Sequence, residues 1–126
     1  MPGDAEAPVN VPAALRWLGG DRALLRDLAR VFVEDAPGRS DALRAAAASR
    51  DAAQLERLAH SLKGSAAILR AARLQAACAA LESAAQAGGV APAPALLDGV
   101  DHELARVAEF FADPGWTAAL EGEAPS

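Results

Sequence analysis

Polar and apolar positions recur along this chain with a helical period, and the breaks in that period mark out the elements. Asn10 and Pro12 open a short segment, one as a side-chain cap and the other in the first turn, and the segment runs to Leu18 and stops at Gly19-Gly20. Asp21 caps a second helix whose inner stripe reads Leu24/Leu25, Leu28 and Val31/Phe32. Pro37 removes one backbone bond there. Leu43 and the alanines after it continue the same face, so the spacing predicts one kinked helix ending near Ser49. Asp51 with Gln54 resembles a capping box and opens a third helix, with Leu55, Leu58, Leu62 and Leu69 on one side, that ends near Leu69 or Arg70. A fourth runs from Arg73 to Ala87 on the stripe Leu74, Ala77/Cys78 and Leu81, and stops at Gly88-Gly89. Beyond a proline-containing connection at Val90 to Pro94, the residues Leu97, Val100, Leu104, Val107 and Phe111 mark the last long helix.

Short connections favour antiparallel neighbours. The expected fold is therefore all-α, an antiparallel four-helix bundle with a short extra N-terminal helix across one end, and Trp17 is expected to cap an end of it. Residues 1–10 read as a flexible leader, 11–112 as the domain and 113–126 as a short tail. That tail begins with the turn Asp113-Pro114-Gly115, and its amphipathic part, through Trp116 and Leu120, is expected to pack loosely or stay mobile.

Composition narrows the function classes. The 126 residues suit one domain. A net charge of -5, with no basic stripe carrying interleaved aromatics, argues against general nucleic-acid binding. Cys78 is the only cysteine, which leaves no internal disulfide and no zinc site, and its place on the core stripe reads as a buried structural thiol. The N-terminal residues lack the basic start and apolar stretch of a signal peptide, and no apolar run has membrane-spanning length. A soluble, cytoplasmic protein is expected. With no second apolar stripe asking for a partner helix, so is a monomer. There is no metal-ligand cluster, no phosphate-cradling glycine loop and no nucleotide-binding motif.

The chemistry concentrates on one helix face. At about 100° per residue, His60 lies opposite the leucines of the third helix and shares its face with Ala53, Glu56, Arg57, Lys63, Gly64 and Ala67. A histidine that points into water is a competent nucleophile near neutral pH, and Lys63, one turn on, can offset negative charge arriving at the ring. Gly64 is costly inside a helix, by up to about 1 kcal/mol relative to alanine, so its lack of a side chain asks for a reason. Close approach of another protein is one, and close packing of a neighbouring helix within the same fold is another. An exposed His followed by Lys is equally compatible with an ordinary solvated face. His102, by contrast, has no Lys-Gly after it and reads as solvated beside Asp98, Ala105 and Glu109.

The run Ala59-His60-Ser61-Leu62-Lys63-Gly64-Ser65-Ala66-Ala67 resembles the signature of histidine phosphotransfer (HPt) domains: His, two residues, Lys, Gly, then small residues. Leu18-Gly19-Gly20-Asp21, Phe32-Val33-Glu34-Asp35-Ala36-Pro37 and Leu81-Glu82 resemble the same family, over roughly residues 12 to 110. The family often has Asn and Gly where this chain has Ile68 and Arg70, which questions the turn's geometry more than activity. The resemblance implies a phosphorelay intermediate, not an autonomous enzyme. His60 would accept a phosphoryl group from a receiver-domain phospho-aspartate and pass it to another receiver, with a hybrid histidine kinase upstream. Lys63 would supply charge, Glu82 would orient the imidazole, and Ala53, Arg57, Gly64 and Ala67 would meet the partner. The resemblance implies no cofactor of the chain's own, since Mg2+ would come with the receiver. Two alternatives stay open: a helical interaction module that carries no phosphate, and the phospho-accepting input domain of a chemotaxis-type kinase.

Overall fold

The computed structural model describes residues 7–88 and 93–122. Six α-helices follow one another: α1 (Val11–Trp17), α2 (Arg22–Ala48), α3 (Ala52–Ile68), α4 (Ala72–Gln86), α5 (Ala93–Ala112) and, after a 3-10 turn at Pro114–Trp116, α6 (Thr117–Gly122). No strand occurs among the described residues. Helices α2 to α5 form the bundle. Each packs on the next, and α5 closes the ring against α2, with α3 and α4 in the most extensive pairing. No helix among the described residues is long and apolar enough to cross a membrane.

The start signals work as expected from the residues. Asn10, Asp21 and Asp51 each accept a backbone N–H three residues on, at 3.0–3.1 Å. The capping box at Asp51 is only half made, because the Gln54 side chain accepts from Arg57 instead of reaching back. Helix α2 continues through Pro37 as one element.

Helices α1, α2 and α3 end in the same way. The residue after the cap adopts a left-handed backbone and the two N–H groups beyond the cap bond back into the last turn. Gly19 (φ 72) does this after α1, Arg50 (φ 57) after α2 and Arg70 (φ 56) after α3. Gly88 (φ 78) takes the corresponding position after α4. The connection that follows at Val90 to Pro94 lies largely outside the described residues. Glycine takes this conformation freely, whereas a side chain there costs roughly 1–2 kcal/mol. Arg50→Gly is therefore expected to raise stability by about 1 kcal/mol. Arg70→Gly is expected to gain less, because the Arg70 guanidinium sits 6.0 Å over the Trp17 ring and that contact would be lost. Paired thermal melts of the two variants check both the sign and the order.

Seven leucines (Leu25, Leu43, Leu55, Leu62, Leu74, Leu81 and Leu120) are fully buried. Each contributes roughly 1.5–3 kcal/mol by leaving water. Four sequence expectations change. Leu24 and Val31 are exposed at 40% and 43%, so the inner stripe of α2 is Leu25, Ala29, Phe32 and Ala36. Small alanines let the helices approach, and the larger neighbours are turned to the flank. Trp17 does not close the bundle, being 57% exposed; Trp116 is buried instead, 5.0 Å from Phe111. The tail is built into the fold: Leu120 is fully buried, its carbonyl accepts from Arg22 Nε, and α6 packs on α1. The end of the leader is also anchored, since Val9 is buried and the Asn10 N–H donates to the Arg70 carbonyl at 3.1 Å. Residues 1–6 of that leader lie outside the described residues.

Candidate functional site

Helix α3 buries Leu55, Ala59, Leu62 and Ala66, which turns His60 outward. Its partner α4 buries Leu74, Cys78 and Leu81 and brings the stripe Gln75, Ala79, Glu82 and Gln86 alongside α3. The two helices run antiparallel, so residues four apart on one meet residues four apart on the other. Gln86 Nε2 donates to Glu56 Oε2 at 3.0 Å. One turn along, His60 Nδ1 lies 2.8 Å from Glu82 Oε2. Lys63 Nζ reaches the other carboxylate oxygen, Oε1, at 2.5 Å.

The three side chains differ in exposure: His60 69%, Lys63 31%, Glu82 10%. Glu82 is thus the buried hinge of the site, held ionised by its neighbours. The Lys63 hydrogen bond, then that from His60, keeps its carboxyl below the ordinary 4.5, against the opposing effect of burial. An ionised carboxylate only accepts, so the proton between it and the imidazole resides on His60 Nδ1. Nε2 then carries the free lone pair, and it has no protein partner among the described residues.

This coupling has a stability consequence. Glu82 releases its proton more readily folded than unfolded, so its contribution is fully present above pH 4.5 and is lost as the pH falls below that through the folded value. The thermal midpoint of Glu82→Gln is expected to fall less steeply than wild type below pH 4.5. Parallel acid limbs for the two proteins would show that the depressed carboxyl does not contribute.

Gly64 follows one turn after His60 and is exposed. A Cβ built on it meets nothing within 4 Å, and its backbone is not in the left-handed region. Neither packing inside the fold nor conformation requires a glycine there, which removes the close-packing explanation. Ala53 is exposed and Ala67 half-buried on the same face. Arg57 is exposed, with its guanidinium on Gln54 Oε1 at 2.6 and 3.2 Å. Ile68 is 36% exposed at the end of this face.

Two contacts near the site were not foreseen from the residue pattern. The Glu56–Gln86 bond could have been found by extending the His60–Glu82 register one turn. The bond from Arg39 Nη2 to Ser65 Oγ, 3.3 Å across the α2–α3 seam, has no such signal. Beneath the site Cys78 is buried, and burial pushes its thiol up to about 12, which leaves it protonated and inert. His102 is exposed on α5, with no side-chain partner among the described residues. Among the described residues no group of three or more His, Cys, Asp or Glu is placed to hold a metal ion.

The family model of the Hpt domain matches residues 27–110. Among solved structures, the chain is similar to histidine-containing phosphotransfer protein B (HptB) from Pseudomonas aeruginosa PAO1. The match has a TM-score of 0.74 and 32% sequence identity, and covers 85% of this chain and 93% of that one. No curated protein matches.

Proposed function

The chain belongs to the Hpt domain family, whose members are phosphocarriers in two-component phosphorelays, and on that premise we propose that His60 is the phosphoryl acceptor. The observation that carries the reading is the Nδ1–Glu82 hydrogen bond on an otherwise exposed ring. It fixes one tautomer and aims the reactive nitrogen at solvent, where a second protein can reach it.

The donor is the phospho-aspartate of a receiver domain. The Nε2 lone pair attacks phosphorus in line, the N–P bond forms, and the bond from phosphorus to the aspartate oxygen breaks. The aspartate leaves as carboxylate. The proton stays on Nδ1, so the phosphorylated ring is cationic and Glu82 neutralises it at 2.8 Å. Lys63, beside the ring, offsets the charge of the phosphoryl oxygens, and a Mg2+ held by the receiver would supply the remaining charge neutralisation. In the return step the N–P bond breaks toward the aspartate of a second receiver, and the lone pair reverts to Nε2. The chain contributes position and charge, in keeping with a carrier and not a self-sufficient catalyst. Ala53, Arg57, Gly64 and Ala67 form the surface on which the receiver lands, and a hybrid histidine kinase feeds the relay. The working unit is a cytoplasmic monomer.

The test incubates the protein with a panel of phosphorylated receiver domains and maps the label by mass spectrometry. Acid-labile phosphate on His60 from at least one receiver is the expected result. Binding without label from any of them would replace the relay by a phosphate-free interaction module. Label arriving only from an ATP-binding kinase domain acting directly on His60 would point to a kinase input domain.

A further inference from the structure

We propose that Arg39 selects the receiver partner, its guanidinium pairing with a carboxylate that borders the docking surface of the incoming domain. The inference rests on the transfer reading above and adds to it a residue outside the His60 helix.

The two flanks of the His60 ridge are unequal. On the α4 side, Glu82 and Gln86 satisfy the polar side chains of α3. On the α2 side a shallow groove of about 390 Å³ runs between Gly38, Arg39 and Ala42 of α2 and Leu58, Ser61 and Leu62 of α3. A smaller hollow of about 100 Å³ continues it past Val31, Ser65 and Ile68, and Arg39 lies in the wall of both. Ser61 adjoins His60 and Ser65 adjoins Gly64, so Arg39 stands beside the landing face without touching the reactive ring.

Among the described residues no carboxylate pairs with Arg39. Lys63 has Glu82, Arg30 has Asp27 and Glu34, and Arg44 has Asp101. Arg39 is half-buried, yet its hydrogen bond among the described residues goes to the neutral Ser65 hydroxyl. Asp35, one turn earlier on α2, lines both hollows without coming within ion-pair distance. Arg57 also has no carboxylate partner among the described residues, but it is exposed and its charge remains hydrated. A partly dehydrated guanidinium gains most from a carboxylate that arrives in the fixed geometry its planar fork prefers, and docking shields that pair further from water. The surroundings suit a protein surface. Val31 and Ile68 offer exposed apolar contacts at 43% and 36%, and Gly38, like Gly64, holds open space where a Cβ would stand.

The experiment uses the full chain and a receiver that loads wild-type His60. Arg39→Met keeps the stem and removes the charge, Arg39→Glu reverses it, and Arg39→Lys keeps the charge without the fork. The receiver concentration giving half-maximal transfer is expected to rise about ten-fold for Met, more for Glu and less for Lys. The maximal rate at saturation should hold, and so should direct labelling of His60 by the small donor phosphoramidate. Reversing one acidic residue of the receiver is expected to restore transfer to Arg39→Glu. Wild-type half-saturation in Arg39→Met and Arg39→Lys, with normal melting, would overturn the proposal. So would equal slowing with phosphoramidate, which would place Arg39 in the fold or the chemistry instead of the docking. If phosphoramidate labels wild-type His60 but no receiver does, the relay reading itself fails.

Discussion

His60→Gln is expected to remove all acid-labile phosphate while leaving the bundle's melting curve where it was. The two halves of that outcome come from different parts of the structure. The ring is 69% exposed and the apolar face of α3 is carried by Leu55, Ala59, Leu62 and Ala66, so little packing is lost. Glutamine is a good helix former, and a surface change of this kind usually moves stability by no more than about 0.5 kcal/mol. Its amide can still donate toward Glu82, which in any case keeps Lys63 at 2.5 Å. An amide nitrogen, however, has no lone pair available for attack on phosphorus. The measurement is labelling by receivers and by phosphoramidate, followed by acid treatment and a thermal melt. Acid-labile label persisting in this variant would move the acceptor elsewhere, with His102 on α5 the other imidazole in the chain. His102→Gln serves as the control and is expected to label normally.

The outward turn of His60 was legible from the leucine period of its helix, whereas its pairing with Glu82 was implied only by the resemblance to the HPt family; the packing now gives that pairing a geometric basis. The leucines of α3 turn His60 outward, and Leu74, Cys78 and Leu81 place Glu82 on the flank of α4. Once the two helices are antiparallel neighbours, the i,i+4 rows bring Glu82 to His60 and Gln86 to Glu56. Helix starts were legible for a similar reason, since Asn10, Asp21 and Asp51 cap through local bonds. Readings that depended on contacts remote in sequence went less well. Leu24 and Leu25 are equally apolar, and only the packing of α2 against its neighbours makes one exposed and the other buried. Trp17 ends α1 and Trp116 closes the 3-10 turn before α6, and it is Trp116 that packs inward, 5.0 Å from Phe111. The left-handed backbone of Arg50 carries no residue signal at all, because the position prefers glycine and the chain does not supply it. Arg39 belongs to the same group: a cation on an ordinary helix acquires meaning only when the seam with α3 is known.

Gly64→Gln is expected to separate stability from function in opposite directions. Gly64 has helical backbone, sits inside α3 and faces open space, so any side chain removes a conformational penalty of about 0.5–1 kcal/mol without meeting an obstacle in the fold. The variant should therefore melt higher, by roughly 2–6 °C for a chain of this size. Transfer from a phosphorylated receiver should fall by more than about a hundred-fold, since a flexible side chain one turn from His60 occupies the space the receiver's acidic pocket must enter, and displacement of reactive atoms by even about 1 Å costs that much. Labelling by phosphoramidate, a donor small enough to pass the new side chain, is expected to stay near wild type, because the His60–Glu82–Lys63 group is untouched. Gly64→Ala grades the effect: it gains the same stability with far less obstruction, and its transfer rate should lie between the two. Higher stability with unchanged receiver transfer would mean that the glycine clears no landing space. Loss of phosphoramidate labelling together with receiver transfer would instead place Gly64 in the chemistry of the ring.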